Sequence, residues 1–284
     1  MPPRETIELL REALPTTILW AAPCVVLLYL IDAGRIPRLG WTHRAGPQEP
    51  PLWSWTEVVV IVLSFVAAQI FFGSTLAGLK ESGVLVEAGF YFITTIVSSL
   101  FTAWVVHWLV VARLGQSLAT LGLVPCPVSN VPTVLGLYFI TFFPLGAVTI
   151  LWQLALLGGT GSAPESQAVV QLFEKSVREH DTLSLALLVV LGVLVAPITE
   201  ELLFRGLILG WLRVRWGAWM GAAISSVLFA IVHGSLGALV PLLALGMLLA
   251  YIAIRTGSIY CAMLYHAVFN GVSFLVLFTR SGNS

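Results

Sequence analysis

The sequence has 284 residues, of which 58% are hydrophobic and 10% are charged. Soluble globular domains carry about 25% charged residues, so this chain cannot cover a water-facing surface and is predicted to lie mostly in lipid. Its formal net charge is zero, which gives no long-range attraction for nucleic acid and argues against such a partner.

Eight apolar stretches follow one another along the chain, and crossing about 30 Å of hydrocarbon takes roughly 20 mostly apolar residues. No clean cleavage site follows the first stretch, so we expect a retained span rather than a signal peptide. Open strands cannot cross lipid, because their backbone groups would be unpaired. The fold class predicted is therefore an all-α polytopic transmembrane bundle of about eight spans, at 14–31, 57–79, 85–111, 134–157, 183–209, 218–234, 236–254 and 258–278.

A polar segment separates the fourth span from the fifth. Its centre, residues 165–180, is predicted to form one amphipathic surface helix whose apolar side chains face lipid; these are Val169, Val170, Leu172, Phe173 and Val177. We divide the chain into residues 1–182, which contain no diagnostic motif, and residues 183–284, which contain the polar residues considered below. We expect an integral, multi-pass protein of the cell membrane.

The three cysteines, Cys24, Cys126 and Cys261, are scattered along the chain and form no CxxC pair. An odd number of cysteines argues against a disulfide framework. We therefore predict that all three are small apolar packing residues. Membrane orientation is undecided, because the 14 Lys and Arg residues divide six to eight between the two sides, too small a difference for the positive-inside rule.

The fifth span ends in an unusual segment for a membrane helix, PITEELLFR. Glu201 and Arg205 are four residues apart, with the acid first, which favours an ion pair along the helix. Glu200 points about 100° away from Glu201 and is left for chemistry, while Pro197 should loosen the helix nearby. The alternative is a helix end that emerges into water with two solvated acids. Ionisable groups inside spans are costly, which favours a functional site.

The sixth and eighth spans each carry polar residues at helical spacing. Phe229 and His233 share one helix face, and so do His266 and Asn270. The alternatives are a packing histidine and hydrogen bonds that hold helices together. Buried polar groups need partners, so the three helices should bring these groups together in one cavity. A carboxylate beside an imidazole can activate water, and a second imidazole with a carboxamide can stabilise an oxyanion.

These residues resemble a known family. EELLFR fits EExxxR, FAIVH fits FxxxH and HAVFN fits HxxxN, and the surrounding phrases APITEELLFRG and RTGSIYCAMLYHAVFN also resemble the CPBP family of intramembrane proteases. That family includes CAAX prenyl-protein endopeptidases and prokaryotic Abi proteins linked to bacteriocin processing and self-immunity. The resemblance covers residues 183–278.

The resemblance implies an endopeptidase and a role for each motif residue. Glu200 would be the general base that activates water, helped by His233, while His266 and Asn270 would stabilise the oxyanion. Glu201 completes the catalytic motif, and Arg205 and Phe229 would give structural support. The substrate implied is a peptide or a membrane-associated, possibly lipidated, protein.

A zinc ion is an open alternative, because family members have been called metalloproteases. Its ligands would be His233, His266 and Glu200, since catalytic zinc uses three protein ligands and an open position. The chain has no HExxH motif, and the glutamate–water mechanism, which we favour, requires no cofactor. Two non-peptidase functions also remain: a non-catalytic immunity or scaffold protein, and a proton-coupled transporter.

Overall fold

The computed structural model describes residues 4–33, 50–78, 82–160 and 167–281. Within these ranges the chain forms helices and no strand, as predicted: α1 (Arg4–Asp32), α2 (Trp55–Ala77), α3 (Val84–His107), α4 (Val131–Thr160), α5 (Ala168–Arg178), α6 (Thr182–Trp216), α7 (Ala218–Val232), α8 (Leu239–Thr256) and α9 (Ile259–Ser281). A π-helical turn, Trp108–Arg113, extends α3, and two more, Leu191–Val195 and Leu202–Ile208, lie within α6. Short 3₁₀ turns occur at Leu118–Leu121, Val128–Asn130 and Leu236–Ala238.

Seven of these helices are long and apolar enough to cross a membrane, which confirms an integral multi-pass protein. The remaining predicted span corresponds to α7, which has 15 residues and ends at Val232 rather than Gly234. At 1.5 Å per residue it is about 22 Å long, shorter than the hydrocarbon thickness. The chain after α7, beginning at His233, therefore lies within the depth of the bundle.

Helix α6 is the centre of the bundle. Every residue from 201 to 210 is buried, and the largest core cluster packs Phe204 and Leu207 of α6 against Phe229 of α7 and Trp53, which precedes α2. The indole nitrogen of Trp53 donates to the Leu207 carbonyl at 3.2 Å. Because this part of α6 is enclosed on all sides, it is apolar around its whole circumference apart from the ion-paired Glu201 and Arg205.

The amphipathic helix predicted at 165–180 forms as α5, although residues 165 and 166 lie outside the described ranges. The prediction that its apolar side chains face lipid is wrong. Leu172, Phe173 and Val177 are buried against α3, α6 and α9, and the Phe173 ring lies 4.8 Å from that of Phe274. An ion pair between Lys175 and Glu87 also ties α5 to α3. The protein interior, rather than the bilayer, receives the apolar face.

The cysteine prediction is wrong for two of the three residues. Cys126 and Cys261 form a disulfide with a Cα–Cα distance of 5.3 Å, while Cys24 is free. The two are 135 residues apart in sequence and meet because the connection before α4 packs on the start of α9, where the Ile259 amide donates to the Gly122 carbonyl at 2.9 Å. Contact between these segments is a tertiary property, so an odd cysteine count does not exclude it.

The disulfide predicts how the protein sits in the membrane. Disulfides persist in oxidising compartments and are rare in the cytosol. Counting the spans from Cys126 and Cys261 puts both residues at the end of the bundle where α6 finishes, whereas α5 lies at the opposite end. We therefore expect the disulfide to face the extracytoplasmic side and α5 to face the cytoplasm.

Thiol labelling of intact cells tests this orientation, with Cys24→Ser in every protein so that only the disulfide cysteines remain. A membrane-impermeant maleimide should label the protein only after an impermeant reductant is added. The added variant Cys261→Ser is the control, because its unpaired Cys126, which is partly exposed, should be labelled without reductant. Labelling of the Cys24→Ser protein before reduction would contradict the disulfide, and protection after reduction would contradict the orientation.

Candidate active site

Glu200 lies on α6 between the two π-helical turns, where the ordinary helical hydrogen-bond pattern is altered. In the first turn the Ala196 amide donates to the Leu191 carbonyl, five residues back. The next residue, Pro197, has no N–H to donate to Gly192. The Asn270 side chain supplies a donor instead, with its Nδ2 2.7 Å from the Gly192 carbonyl oxygen. The helix is therefore loosened next to Glu200, as Pro197 predicts, and α9 is tied to that point.

Gly192 is also required sterically at this junction between α6 and α9. A Cβ atom at this position would lie 2.3 Å from Cε2 of Phe274. The absence of a side chain therefore lets α9 approach α6 closely enough for the Asn270 hydrogen bond. This contact places both polar residues of α9 beside Glu200.

Glu201 occupies a separate, fully buried environment. Its Oε1 accepts from Arg205 Nη1 at 3.0 Å, the ion pair that the spacing predicts. The other guanidinium nitrogen, Nη2, donates to the Gly246 carbonyl at 3.1 Å, and the guanidinium carbon lies 4.5 Å from the Phe229 ring centroid. Arg205 is thus held on several sides, and it neutralises a carboxylate that water does not reach.

Glu201 also orients His266. The Nδ1 atom of His266 lies 3.0 Å from Glu201 Oε1, and its Nε2 lies 3.7 Å from Glu200 Oε2. Since a carboxylate paired with arginine acts as an acceptor, Nδ1 is the donor in this contact. The two adjacent glutamates therefore contact opposite edges of one imidazole ring, and Nε2 faces Glu200.

His233, which directly follows α7, approaches Glu200 in a similar orientation. Its Nδ1 lies 2.6 Å from the Phe229 carbonyl oxygen, which can only accept, so Nδ1 carries a hydrogen. Its Nε2 lies 3.9 Å from Glu200 Oε2. The Phe229 ring packs edge-on to His233 at 4.7 Å and to His266 at 6.0 Å between centroids. Phe229 thus spaces the two imidazoles with both its ring and its backbone.

Three acceptor atoms therefore converge: Glu200 Oε2 and the Nε2 atoms of the two histidines. Both Nδ1 hydrogens are used elsewhere, and Glu200 Oε2 is buried with no hydrogen-bond partner among the residues the structure describes. Converging acceptors are stable only if a proton is shared among them, or a donor or a cation lies between them. This arrangement is suited to binding a water molecule and taking a proton from it.

A cavity of about 450 Å³ opens beside these atoms. Four predicted site residues line it, namely Glu200, His233, His266 and Asn270, whereas Glu201, Arg205 and Phe229 lie behind its wall. The start of α5 also contributes to the lining through Gln167, Val169 and Val170. The cavity therefore lies towards the α5 end of the bundle, away from the disulfide.

The N-terminal half also contributes polar residues to this cavity, which the sequence reasoning missed. They are Tyr91 and Thr95 of α3 and Thr149 and Gln153 of α4. Each pair is four residues apart within an apolar helix, the same signal that identified His266 and Asn270. Both halves of the chain line the cavity. The division at residue 182 therefore separates a region without a diagnostic motif from one that contains the motifs, and as a domain boundary it stays a prediction.

The three predicted zinc ligands, Glu200, His233 and His266, do meet at the cavity. In the part of the chain that the structure describes, however, no three His, Cys, Asp or Glu side chains are arranged to hold a metal ion. The zinc ion therefore stays a prediction. No step proposed below depends on one.

Comparisons with known proteins agree with the motif resemblance. Residues 182–272 match the family described as "Type II CAAX prenyl endopeptidase Rce1-like". An uncharacterised 24.3 kDa protein of Escherichia coli is 33% identical over 129 residues, 43% of this chain and 57% of that protein. "Putative membrane peptidase YdiL" of Bacillus subtilis is 27% identical over 133 residues, 47% of this chain and 50% of the relative.

The chain therefore spans about half the length of the curated relatives it matches. No solved structure matches it significantly. The family resemblance predicted from the three motifs is confirmed over residues 182–272, the region that contains Glu200, His233, His266 and Asn270. The family match begins at residue 182 and therefore does not include α1–α5.

Proposed function

We propose that the protein is an intramembrane endopeptidase that hydrolyses peptide bonds with a water molecule activated by Glu200. The observation that carries the proposal is the convergence of Glu200 Oε2 with two imidazole Nε2 atoms, at 3.9 Å from His233 and 3.7 Å from His266, on one cavity inside the bundle. The match of residues 182–272 to the Rce1-like family supports the peptidase class.

The proposed reaction uses Glu200 first as a base and then as an acid. A water molecule bound between Glu200 and His233 gives a proton to the carboxylate as its oxygen attacks the scissile carbonyl carbon. The C–N bond then breaks, and the leaving amine takes that proton, so the carboxylate is regenerated. His233, held by the Phe229 carbonyl, orients the water through its Nε2. Such proton transfers contribute about 10²–10⁴-fold to a rate.

His266 and Asn270 are proposed to stabilise the negative oxygen formed in that step. His266 can donate from Nε2 when it is protonated, and Glu201 at its Nδ1 stabilises that charge. Asn270 uses one amide hydrogen for the Gly192 carbonyl, so one hydrogen remains for an oxyanion. Glu201, which does not line the cavity, is then a positioning residue rather than a group that contacts substrate.

The substrate we propose is a peptide segment of a membrane-associated, possibly lipidated, protein. The cavity is enclosed by transmembrane helices, and its lining combines apolar side chains such as Leu245, Phe269 and Leu277 with a few polar ones. Pockets of this kind bind apolar groups and orient them with a few hydrogen bonds. Its location at the α5 end favours access from the cytoplasmic side, if the disulfide faces the opposite side.

A panel of fluorogenic peptides, including a prenylated C-terminal peptide, tests this function on the purified protein in detergent. Wild type should cleave at least one peptide, and His233→Ala should lower kcat by about a hundredfold or more. The control is His107→Ala, because His107 is exposed near the end of α3 and does not line the cavity. Equal activity in wild type and His233→Ala would contradict the site.

A chelator added to the same assay tests the zinc alternative. The glutamate–water mechanism predicts unchanged cleavage. Loss of cleavage on chelation, followed by recovery on addition of zinc, would instead make Glu200, His233 and His266 metal ligands. A third outcome is that the folded protein cleaves none of the peptides and also leaves proteins and lipidated peptides added in excess uncut. That result would favour the immunity or scaffold function, or the transporter function, over a peptidase.

A further inference from the structure

Tyr91 is the residue of the N-terminal half that lies best placed to take part in the chemistry. Helix α3 packs against residues 191–201 of α6, the stretch that contains Glu200. The Tyr91 ring packs against the cluster formed by Phe173, Leu188 and their neighbours, while the residue lines the same cavity as the four motif residues. The ring is therefore fixed by packing, and its position relative to α6 is set by the helix contact.

The hydroxyl of Tyr91 is near the reacting groups and is not used by the part of the fold that the structure describes. It is close enough to the Glu200 carboxylate to interact with it electrostatically. No hydrogen-bond partner for this hydroxyl is found among the described residues, in contrast to Tyr251, which donates to Asp32, and Tyr265, which is bonded to Thr141. A tyrosine hydroxyl that lines a cavity and makes no hydrogen bond with the described residues is available to a ligand.

The motif residues around Glu200 offer few free hydrogen-bond donors. His233 and His266 each use Nδ1–H on a protein acceptor, and Asn270 uses one of its two amide hydrogens on Gly192. The atoms that remain around Glu200 are mainly acceptors, which suit a water molecule. An oxyanion, by contrast, needs donors already in place. A neutral phenol is such a donor at neutral pH.

We infer that Tyr91 is a further catalytic residue, whose hydroxyl donates a hydrogen bond to the oxyanion of the tetrahedral intermediate. This inference rests on the proposed function and adds a donor from outside the matched region, since residue 91 lies before residues 182–272. The hydroxyl breaks no covalent bond and gives up no proton; it contributes by a hydrogen bond that strengthens as charge develops on the oxygen. The N-terminal half would thereby complete the active site.

Tyr91→Phe removes the hydroxyl and keeps the packed ring, so it separates chemistry from folding. We expect kcat for the best peptide of the panel to fall about a hundredfold, as for loss of one oxyanion donor, with KM within twofold of wild type and an unchanged melting temperature. A hydrogen bond made only in the transition state lowers kcat and kcat/KM together. The matched control is Tyr138→Phe, since Tyr138 lies in another core cluster and does not line the cavity.

Two results would overturn the inference. One is wild-type kcat in Tyr91→Phe; the other is a raised KM with unchanged kcat, which would make the hydroxyl a group that binds substrate in the ground state. Failure of the proposed function is distinguishable, because it would show as activity that survives Glu200→Gln. If Glu200→Gln is inactive and Tyr91→Phe is fully active, only the role of Tyr91 is wrong.

Discussion

Glu200→Gln is expected to lower kcat by about 10³–10⁴-fold, the range associated with loss of a general base. The amide has the size of the carboxylate but cannot accept a proton from water. Because Glu200 makes no hydrogen bond with the described protein groups through Oε2 and is not part of the Arg205 ion pair, folding should be little affected. The measurement is kcat on the cleaved peptide, with the melting temperature in detergent as the check on folding.

Glu57→Gln is the matched control for this substitution. Glu57 is also a glutamate of a transmembrane helix and is paired with Arg113, but it lies at the start of α2 and does not line the cavity. We expect its kcat to stay within about twofold of wild type, since surface ion pairs contribute little. Substantial cleavage by a well-folded Glu200→Gln protein would rule out the glutamate–water mechanism.

Arg205→Ala is expected to cause the largest loss of stability. Arg205 and Glu201 are both buried, with side-chain exposures of 0% and 0%, so the substitution leaves an uncompensated carboxylate inside the bundle. Breaking such a pair costs about 3–5 kcal/mol, which corresponds to a fall in melting temperature of roughly 10 °C. The substitution should also disturb the orientation of His266, because the Glu201 carboxylate that holds His266 Nδ1 loses its own partner. Activity should therefore fall together with stability.

Two controls separate this effect from a general effect of losing arginine. Arg113→Ala breaks the ion pair with Glu57, in which the arginine side chain is 52% exposed, and should cost about 0–1 kcal/mol. The double substitution Glu201→Gln with Arg205→Met removes both charges and should recover much of the lost stability, because a buried pair can be replaced by uncharged residues. A melting temperature in Arg205→Ala equal to that of wild type would contradict the buried ion pair.

The motif residues could be located from the sequence because membrane helices make polar residues conspicuous. A glutamate, a histidine and an asparagine inside apolar helices are costly unless they find partners, and their helical spacing shows which ones share a face. Pro197 also indicated a loosened helix beside Glu200. The sequence could not show that π-helical turns flank this residue, or that Asn270 donates to the Gly192 carbonyl, since both depend on how α9 packs on α6.

Composition and periodicity by themselves determined the membrane environment, the all-helical bundle, the Glu201–Arg205 pair and the four motif residues that meet at the cavity, because these follow from the cost of polar groups in lipid and from helical spacing. Only the tertiary structure decided the Cys126–Cys261 disulfide, the docking of the apolar face of α5 onto the protein, and the contribution of Tyr91 to the cavity. Each of these joins segments far apart in sequence, and the local pattern of either segment is equally compatible with lipid or protein as its neighbour.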